Sequence, residues 1–263
     1  MKIAASNIAW GAEDDEEVYA KMQALGFSCL EIAPTRLVPQ PAYSQENIRL
    51  AVALAKQIQT RWEFPICSMQ SLWFGITERI FGTPDEREFL LHYMYSALDF
   101  SAAVGCPHVV FGSPRNRVID HPDQLSLGEV FFSACAEYAQ AKGVVIGLEA
   151  NPAVYGTNYL NTTMEAWELI KKINSPSLRL NLDLGTVLIN HESLDILPDV
   201  ISYVSHVHIS EPGLAPLQPR QDHLQLAQFL RANNYQGCVS LEMKNSGKKE
   251  LFSSMEIMSD IFA

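Results

Sequence analysis

The chain has 263 residues, of which 48% are hydrophobic, and it carries 30 acidic against 19 basic side chains, a formal net charge of −11. We find no cluster of Lys and Arg that could follow a phosphate backbone, so the charge argues against nucleic acid as a partner. No apolar run reaches the roughly 18 residues of a membrane span, and the opening MKIAASNIAW does not form a signal peptide. The sequence therefore predicts a globular, cytoplasmic protein without a membrane partner.

Predicted strands and helices alternate from the first residues onward. The first half reads as strand 2–9, helix 14–26, strand 27–33, helix 44–59, strand 63–70, helix 85–105, strand 107–113 and helix 124–143. The second half reads as strand 144–149, helix 162–173, strand 178–183, a short helix around 192–200, strand 203–210, helix 222–234, strand 237–242 and a final helix near 248–260. Strands four and five are almost continuously apolar, which is typical of parallel strands covered on both faces.

Eight strand–helix units in a chain of this length predict an α/β fold, the (β/α)₈ TIM barrel. A doubly wound open sheet is the alternative, but no GxGxxG follows the first strand. We detect no repeat, linker or second domain, so we expect a single domain over residues 1–263.

The five cysteines never form a CxxC pair, and most lie beside apolar neighbours. Their number is odd and their spacing is wide, which argues against a disulfide framework. We expect reduced thiols that pack as small buried side chains: Cys29, Cys67, Cys106, Cys135 and Cys238.

Four polar side chains stand at the ends of the last four predicted strands, namely Glu149, Asp183, His208 and Glu242. In a TIM barrel these ends share one mouth, where active sites lie. Each carboxylate could instead cap the helix that follows it, but three gathered carboxylates repel one another unless a cation is present. Oxygen ligands with one imidazole favour a single divalent ion, Mn²⁺ first, with Mg²⁺, Co²⁺ or Zn²⁺ as alternatives. His206 lies on the same strand face and is expected to pack deeper or to orient the site.

The motifs ExNP, LD, HxHISE and SLExK, in this order, resemble the xylose isomerase-like TIM-barrel superfamily. That group includes ketose 3-epimerases, hydroxypyruvate isomerase, inosose dehydratase and AP endonucleases of the endonuclease IV type. The resemblance implies that Glu149 and Glu242 both bind the metal and exchange substrate protons, while Asp183 and His208 complete the metal shell. A chelated ketose carbonyl would acidify the neighbouring C–H, so two carboxylates could remove and return a proton through an enediolate.

The resemblance is incomplete at the sixth strand, where many members carry Asp-x-x-His and this chain has Thr186 in the position of the His. The missing His argues against a three-metal endonuclease and weakens any transfer of ketose specificity. We therefore predict a metal-dependent sugar isomerase or epimerase acting on a small polyhydroxy carbonyl compound. An inosose dehydratase-like lyase and a metal- or sugar-binding barrel without catalysis are the alternatives, and a phosphodiesterase of the endonuclease type is less favoured. Family members often form homo-oligomers, but no sequence feature requires one here.

Further polar residues near the strand ends are candidates for binding this substrate. Two arginines in FGSPRNR could bind anionic or hydroxyl-rich groups, or they could be solvated loop side chains. The predicted substrate-binding set is Gln70, Arg115, Arg117, Asn151, Tyr155, Glu211 and His223.

Overall fold

A computed structural model describes all residues from 1 to 263. Eight parallel strands form a closed barrel in chain order, and β8 pairs with β1 to complete it. This confirms the predicted (β/α)₈ barrel. The strands are β1 Lys2–Ser6, β2 Cys29–Ile32, β3 Ile66–Met69, β4 His108–Phe111, β5 Val145–Glu149, β6 Leu178–Asp183, β7 Val204–Ile209 and β8 Cys238–Leu241.

Helices connect successive strands and pack around the barrel. Ser44 caps the helix Gln45–Trp62 by accepting a hydrogen bond from the backbone N of Asn47, and Thr83 forms a capping box with Glu86 at the start of the helix Pro84–Ala103. No helix is both long enough and apolar enough to cross a membrane. The helices are α1 Asp15–Ala24, α2 Pro34–Leu37, α3 Gln45–Trp62, α4 Pro84–Ala103, α5 Leu125–Lys142, α6 Thr163–Ile173, α7 Leu184–Asn190, α8 Leu197–Val200, α9 Gln221–Ala232 and α10 Lys248–Phe262.

The connection between β6 and β7 differs from the predicted single short helix around 192–200. A full helix, α7, already begins at the residue after β6. Asp183 explains this start, because its carboxylate accepts hydrogen bonds from the backbone N of Gly185 at 3.1 Å and of Thr186 at 3.0 Å. The sequence of α7, LGTVLIN, contains Gly and β-branched residues with weak helix propensity, so its pattern alone does not indicate a helix.

The inside of the barrel contains polar side chains as well as apolar ones. Gly147 on β5 makes room for the ring of His108, because a Cβ there would lie 2.6 Å from that ring. The two ring nitrogens of His108 lie 3.0 Å from Oγ of Ser68 and 2.9 Å from Oγ of Ser205. The ring of His206 stacks on His108 with the centroids 5.0 Å apart. Hydrogen-bonding side chains therefore line the inside of the barrel below its C-terminal mouth.

Candidate active site

The C-terminal ends of β5, β7 and β8 bring three of the predicted metal ligands together. Nδ1 of His208 lies 2.9 Å from Oε2 of Glu149 and 3.3 Å from Oε2 of Glu242. One ligand atom from each of the three side chains lies within 4.8 Å of the others, and all three residues are buried. They line a cavity of about 170 Å³ together with Gln70 and Asn151. Residues far apart in sequence thus converge where a TIM barrel carries its active site.

Two neighbours hold Glu149 in position. Nδ2 of Asn181 donates to its Oε2 at 2.6 Å, and Nδ2 of Asn151 donates to its Oε1 at 2.9 Å. Gly112, just after β4, leaves the necessary space, because a Cβ there would lie 3.0 Å from Oε1 of Glu149. Oδ1 of Asn181 is buried and has no hydrogen-bond partner in the protein. A buried acceptor without a partner costs free energy, so the fold bears a cost to keep Nδ2 of Asn181 on Glu149.

A further carboxylate, which sequence reasoning missed, stands behind His208. Glu31 on β2 is fully buried, and its Oε1 lies 3.1 Å from Nε2 of His208. Its Oε2 lies 2.6 Å from Nε2 of His206, and Nε2 of Gln70 donates to its Oε1 at 2.9 Å. Glu31 is the only charged residue in the strand segment FSCLEIA. That feature was the available signal, because a charge in a fully buried strand requires a buried partner.

The charges of this group shift two pKa values in opposite directions. Burial lowers the pKa of His208, but attraction to Glu31 and Glu242 outweighs burial and holds the pKa well above its ordinary value. Burial raises the pKa of Glu31, but the nearby His208 and His206 outweigh it and hold that pKa well below its ordinary value. The positive charge that this raised pKa favours on His208 offsets part of the negative charge of the three glutamates around it.

Asp183 lies next to this group, but its carboxylate is already engaged. Oδ1 accepts a hydrogen bond from Oγ of Ser210 at 2.6 Å, and both oxygens accept from backbone N–H groups of α7. Burial, and then repulsion from Glu149, raises the pKa of Asp183. The hydroxyl of Thr186 lies 2.8 Å from Oδ2 of Asp183 and 3.0 Å from the carbonyl oxygen of Ala150. The Thr186 hydroxyl has one proton to donate. When it donates to the carbonyl oxygen of Ala150, a lone pair on Oδ2 of Asp183 becomes free to bind an ion.

The predicted substrate-binding residues are placed unevenly around the cavity. Gln70 and Asn151 line it. Arg115 lines a neighbouring cavity of about 550 Å³, which shares Ser71, Ser113 and Pro114 with the first one. The hydroxyl of Tyr155 accepts a hydrogen bond from the backbone N of Gly213 at 3.0 Å, between the β5 and β7 loops.

Three other members of that set are held within the protein and do not line the cavity. Arg117 is fully buried and donates to the backbone oxygen of Glu149 at 3.0 Å and to Oδ1 of Asn151 at 2.5 Å. Burial lowers the pKa of Arg117 to about 10. Glu211 forms an ion pair with Arg220 at 2.6 Å, and His223 is buried with neither ring nitrogen hydrogen-bonded to the protein.

The donor set fits a divalent cation. Ligand atoms of two carboxylates and one imidazole lie within 4.8 Å of one another, and a third carboxylate contacts the imidazole from behind. A carboxylate behind a metal-binding His is a frequent arrangement, because it fixes the tautomer and raises the basicity of the ligand nitrogen. The absence of sulfur from the set favours the harder ions.

The family model described as the xylose isomerase-like TIM barrel matches residues 19–261. The chain belongs to this family. The resemblance predicted from the sequence motifs is therefore confirmed. Among curated proteins, none matches the chain.

Solved structures of sugar epimerases share the fold of this family member. A 3-keto-D-glucoside 4-epimerase from E. coli has a TM-score of 0.76 and 22% identity, with 99% of this chain and 98% of that chain covered. A D-psicose 3-epimerase from Clostridium cellulolyticum H10 has a TM-score of 0.74 and 20% identity, covering 99% and 91%. A D-allulose 3-epimerase from Methylomonas sp. has a TM-score of 0.73 and 20% identity, covering 94% and 85%. At these identities, the likeness shows the common fold.

Proposed function

We propose that this protein is a divalent-metal-dependent sugar isomerase or epimerase that moves a proton on the carbon next to a carbonyl group. The observation that carries the proposal is the meeting of Glu149, His208 and Glu242 within 4.8 Å at the mouth of the barrel. The two glutamates come from β5 and β8, which are separated by two strands, so they approach the cavity from different sides. Membership of a family whose fold is shared by several sugar epimerases supports this assignment.

The proposed ion is Mn²⁺, held by Glu149, His208 and Glu242, with Asp183 as fourth ligand once the Thr186 hydroxyl turns to Ala150. When bound, the ion would polarise the substrate carbonyl and make the neighbouring C–H more acidic. Glu149 then removes that proton and Glu242 supplies one, or the two exchange these roles. Delivery of a proton to the same carbon from the opposite side inverts that carbon, whereas delivery of a proton to the adjacent carbon isomerises the sugar.

The proposed substrate is a small polyhydroxy carbonyl compound. The cavity of about 170 Å³ is below the roughly 300 Å³ at which pockets for drug-sized ligands begin, so it suits a compact molecule. Its lining offers amide and hydroxyl groups from Gln70, Ser71, Ser113 and Asn151, which can hydrogen-bond to sugar hydroxyls. The related structures contain or act on ketoses such as D-allulose and D-tagatose, which makes these compounds the first to test.

The test is incorporation of solvent deuterium into a panel of ketoses, including D-allulose, D-tagatose and L-ribulose, by protein supplied with Mn²⁺. NMR identifies both the carbon that exchanges and the product, so inversion, isomerisation and loss of water are distinguished. We expect Glu149→Gln and Glu242→Gln each to reduce exchange by about a hundredfold or more, since each removes one proton carrier. We also expect about one divalent ion per chain, and chelation should abolish exchange that Mn²⁺ then restores.

Glu192→Gln is the matched control, because Glu192 accepts hydrogen bonds from the backbone N of Thr163 and lies outside the cavity. It should leave exchange unchanged. Full exchange in either active-site variant would contradict the two-carboxylate mechanism. Failure of every divalent ion to bind or to raise the unfolding temperature would contradict the metal site.

A further inference from the structure

Three cysteines meet at the opposite end of the barrel from the candidate active site. Sγ of Cys29 lies 3.4 Å from Sγ of Cys238, and Sγ of Cys67 lies within 4.8 Å of both. All are free thiols at or next to the first residue of β2, β3 and β8. The remaining two cysteines, Cys106 and Cys135, are each buried without such a group.

The strand order explains how thiols 209 residues apart come into contact. β1 lies between β8 and β2 in the barrel, and its Ala4 pairs with Cys29 in the strand register. The side chain of Ala4 is a single methyl group, packed with Cys29 and Cys238 in one small buried cluster. A larger side chain on β1 would keep the two thiols apart.

The three-cysteine group is open to a ligand. The three cysteines line a cavity of about 390 Å³ at the N-terminal end of the barrel, together with Lys2, His108 and His206. No carboxylate lines this cavity. Three thiolates around a divalent ion have a net charge of −1, and the positive charge of Lys2 offsets it. The cavity also has room for a water molecule as a fourth ligand.

We propose that Cys29, Cys67 and Cys238 form a second metal site, for a thiophilic ion of the Zn²⁺ class. A zinc ion bound by thiolates at about 2.3 Å holds the sulfur atoms roughly 3.8 Å apart, a spacing that small rotations of these side chains would reach from the observed positions. Sulfur donors select Zn²⁺ and Cd²⁺ over Mn²⁺ and Mg²⁺, so the two ends of the barrel take different ions. Binding releases the thiol protons and joins the starts of β2, β3 and β8.

Cd²⁺ is the probe, because its bond to a thiolate produces an ultraviolet charge-transfer band that carboxylate and imidazole ligands do not. The full chain is first saturated with Mn²⁺, kept reduced with a phosphine, and then titrated with Cd²⁺. We expect the band to saturate at one Cd²⁺ per chain and to decrease when a large excess of Zn²⁺ is added. Cys67→Ser and Cys238→Ser should each weaken Cd²⁺ binding by about tenfold or more. Loss of a residue that only supports a metal ligand already lowers metal affinity by about tenfold, and loss of the ligand itself should lower it at least as much.

Cys135→Ser is the matched control, since it removes one buried thiol from α5 and leaves the three-cysteine group intact. It should not change the band or its midpoint. Absence of a charge-transfer band in the wild-type protein would overturn the proposal, and this result does not depend on the folding of any variant. A band that persists with unchanged midpoint in both Cys67→Ser and Cys238→Ser would overturn it as well.

Discussion

Glu31→Gln tests whether the carboxylate behind His208 tunes the proposed metal site. The substitution keeps the shape of a side chain that is fully buried and contacts His208, His206 and Gln70. It removes the negative charge that pulls on the Nε2 proton of His208. We therefore expect Nδ1 of His208 to become a poorer ligand, although Glu31 itself does not face the cavity.

The expected magnitude follows from the position of Glu31. Loss of a carboxylate that orients a metal-binding His typically costs 10- to 100-fold in metal affinity, or about 1.4 to 2.7 kcal/mol. The fold should also lose stability, because the partners of a broken buried ion pair become unsatisfied, at a cost of about 3 to 5 kcal/mol. Calorimetric titration with Mn²⁺ measures the first quantity, and urea denaturation of the metal-free protein measures the second.

The control for Glu31→Gln is again Glu192→Gln. Glu192 is a half-buried carboxylate that follows α7, accepts a hydrogen bond from the backbone N of Thr163 at the start of α6, and does not line the cavity. The Glu192→Gln variant should leave Mn²⁺ affinity unchanged. If Glu31→Gln lowers stability but binds Mn²⁺ as tightly as the wild type, then the carboxylate serves the fold alone and our account of His208 is wrong. Glu31→Asp adds a check, because it retains the charge and should recover part of the lost affinity.

Three further predictions concern the same site. Asp183→Asn should lower Mn²⁺ affinity about tenfold or more and also lower the unfolding temperature, because the amide nitrogen that replaces one carboxylate oxygen cannot accept the hydrogen bonds which that oxygen accepts. A lower unfolding temperature with unchanged affinity would make Asp183 a helix cap only. Gly112→Ala should lower kcat/KM about tenfold with little change in the urea midpoint, because the added Cβ would lie 3.0 Å from Oε1 of Glu149; an unchanged kcat/KM would argue against Glu149 at the reacting carbon. The raised pKa of His208 means that a proton competes with the ion for its nitrogen, so Mn²⁺ affinity should increase as the pH rises above about 6.5 toward that raised pKa. A constant affinity would contradict this. The same shift stabilises the metal-free fold below about pH 6.5, the unfolded value, and this stability should fade as pH rises through the folded pKa, as urea midpoints over the same range would show.

The fold was predictable because strand and helix patterns alternate eight times along the chain. β6 has the predicted bounds, Leu178–Asp183, and β5 and β8 end within one residue of their predicted ends. β1 is shorter than the predicted strand 2–9, because Oδ1 of Asn7 accepts a hydrogen bond from the backbone N of Ala33 and the chain turns there. A contact between residues this far apart in sequence cannot be read from the local pattern.

The local sequence predicts where some of the site residues lie, but not where others do. The placement of Glu149 and Glu242 at strand ends directs them to the mouth in any TIM barrel, and both line the cavity. Arg117 follows β4 in a polar loop, which suggested a solvated or substrate-binding side chain. It is buried instead, because the neighbouring backbone oxygen of Glu149 and Oδ1 of Asn151 accept its protons. Burial of a charged side chain depends on such partners, and they come from a different part of the chain.

Asp183 shows why a strand-end carboxylate cannot be assigned to one role by sequence alone. The helix cap is observed, since Asp183 directly precedes α7, whereas its role as a metal ligand stays a prediction that its register pairing with His208 on β7 allows. Its cap hydrogen bonds come from backbone N–H groups, which have no alternative acceptor at the start of α7. The hydrogen bond from Thr186 is different, because that hydroxyl can turn to the carbonyl oxygen of Ala150. In the proposed metal site, Thr186 can therefore free a lone pair of Asp183 for the ion without breaking the helix cap.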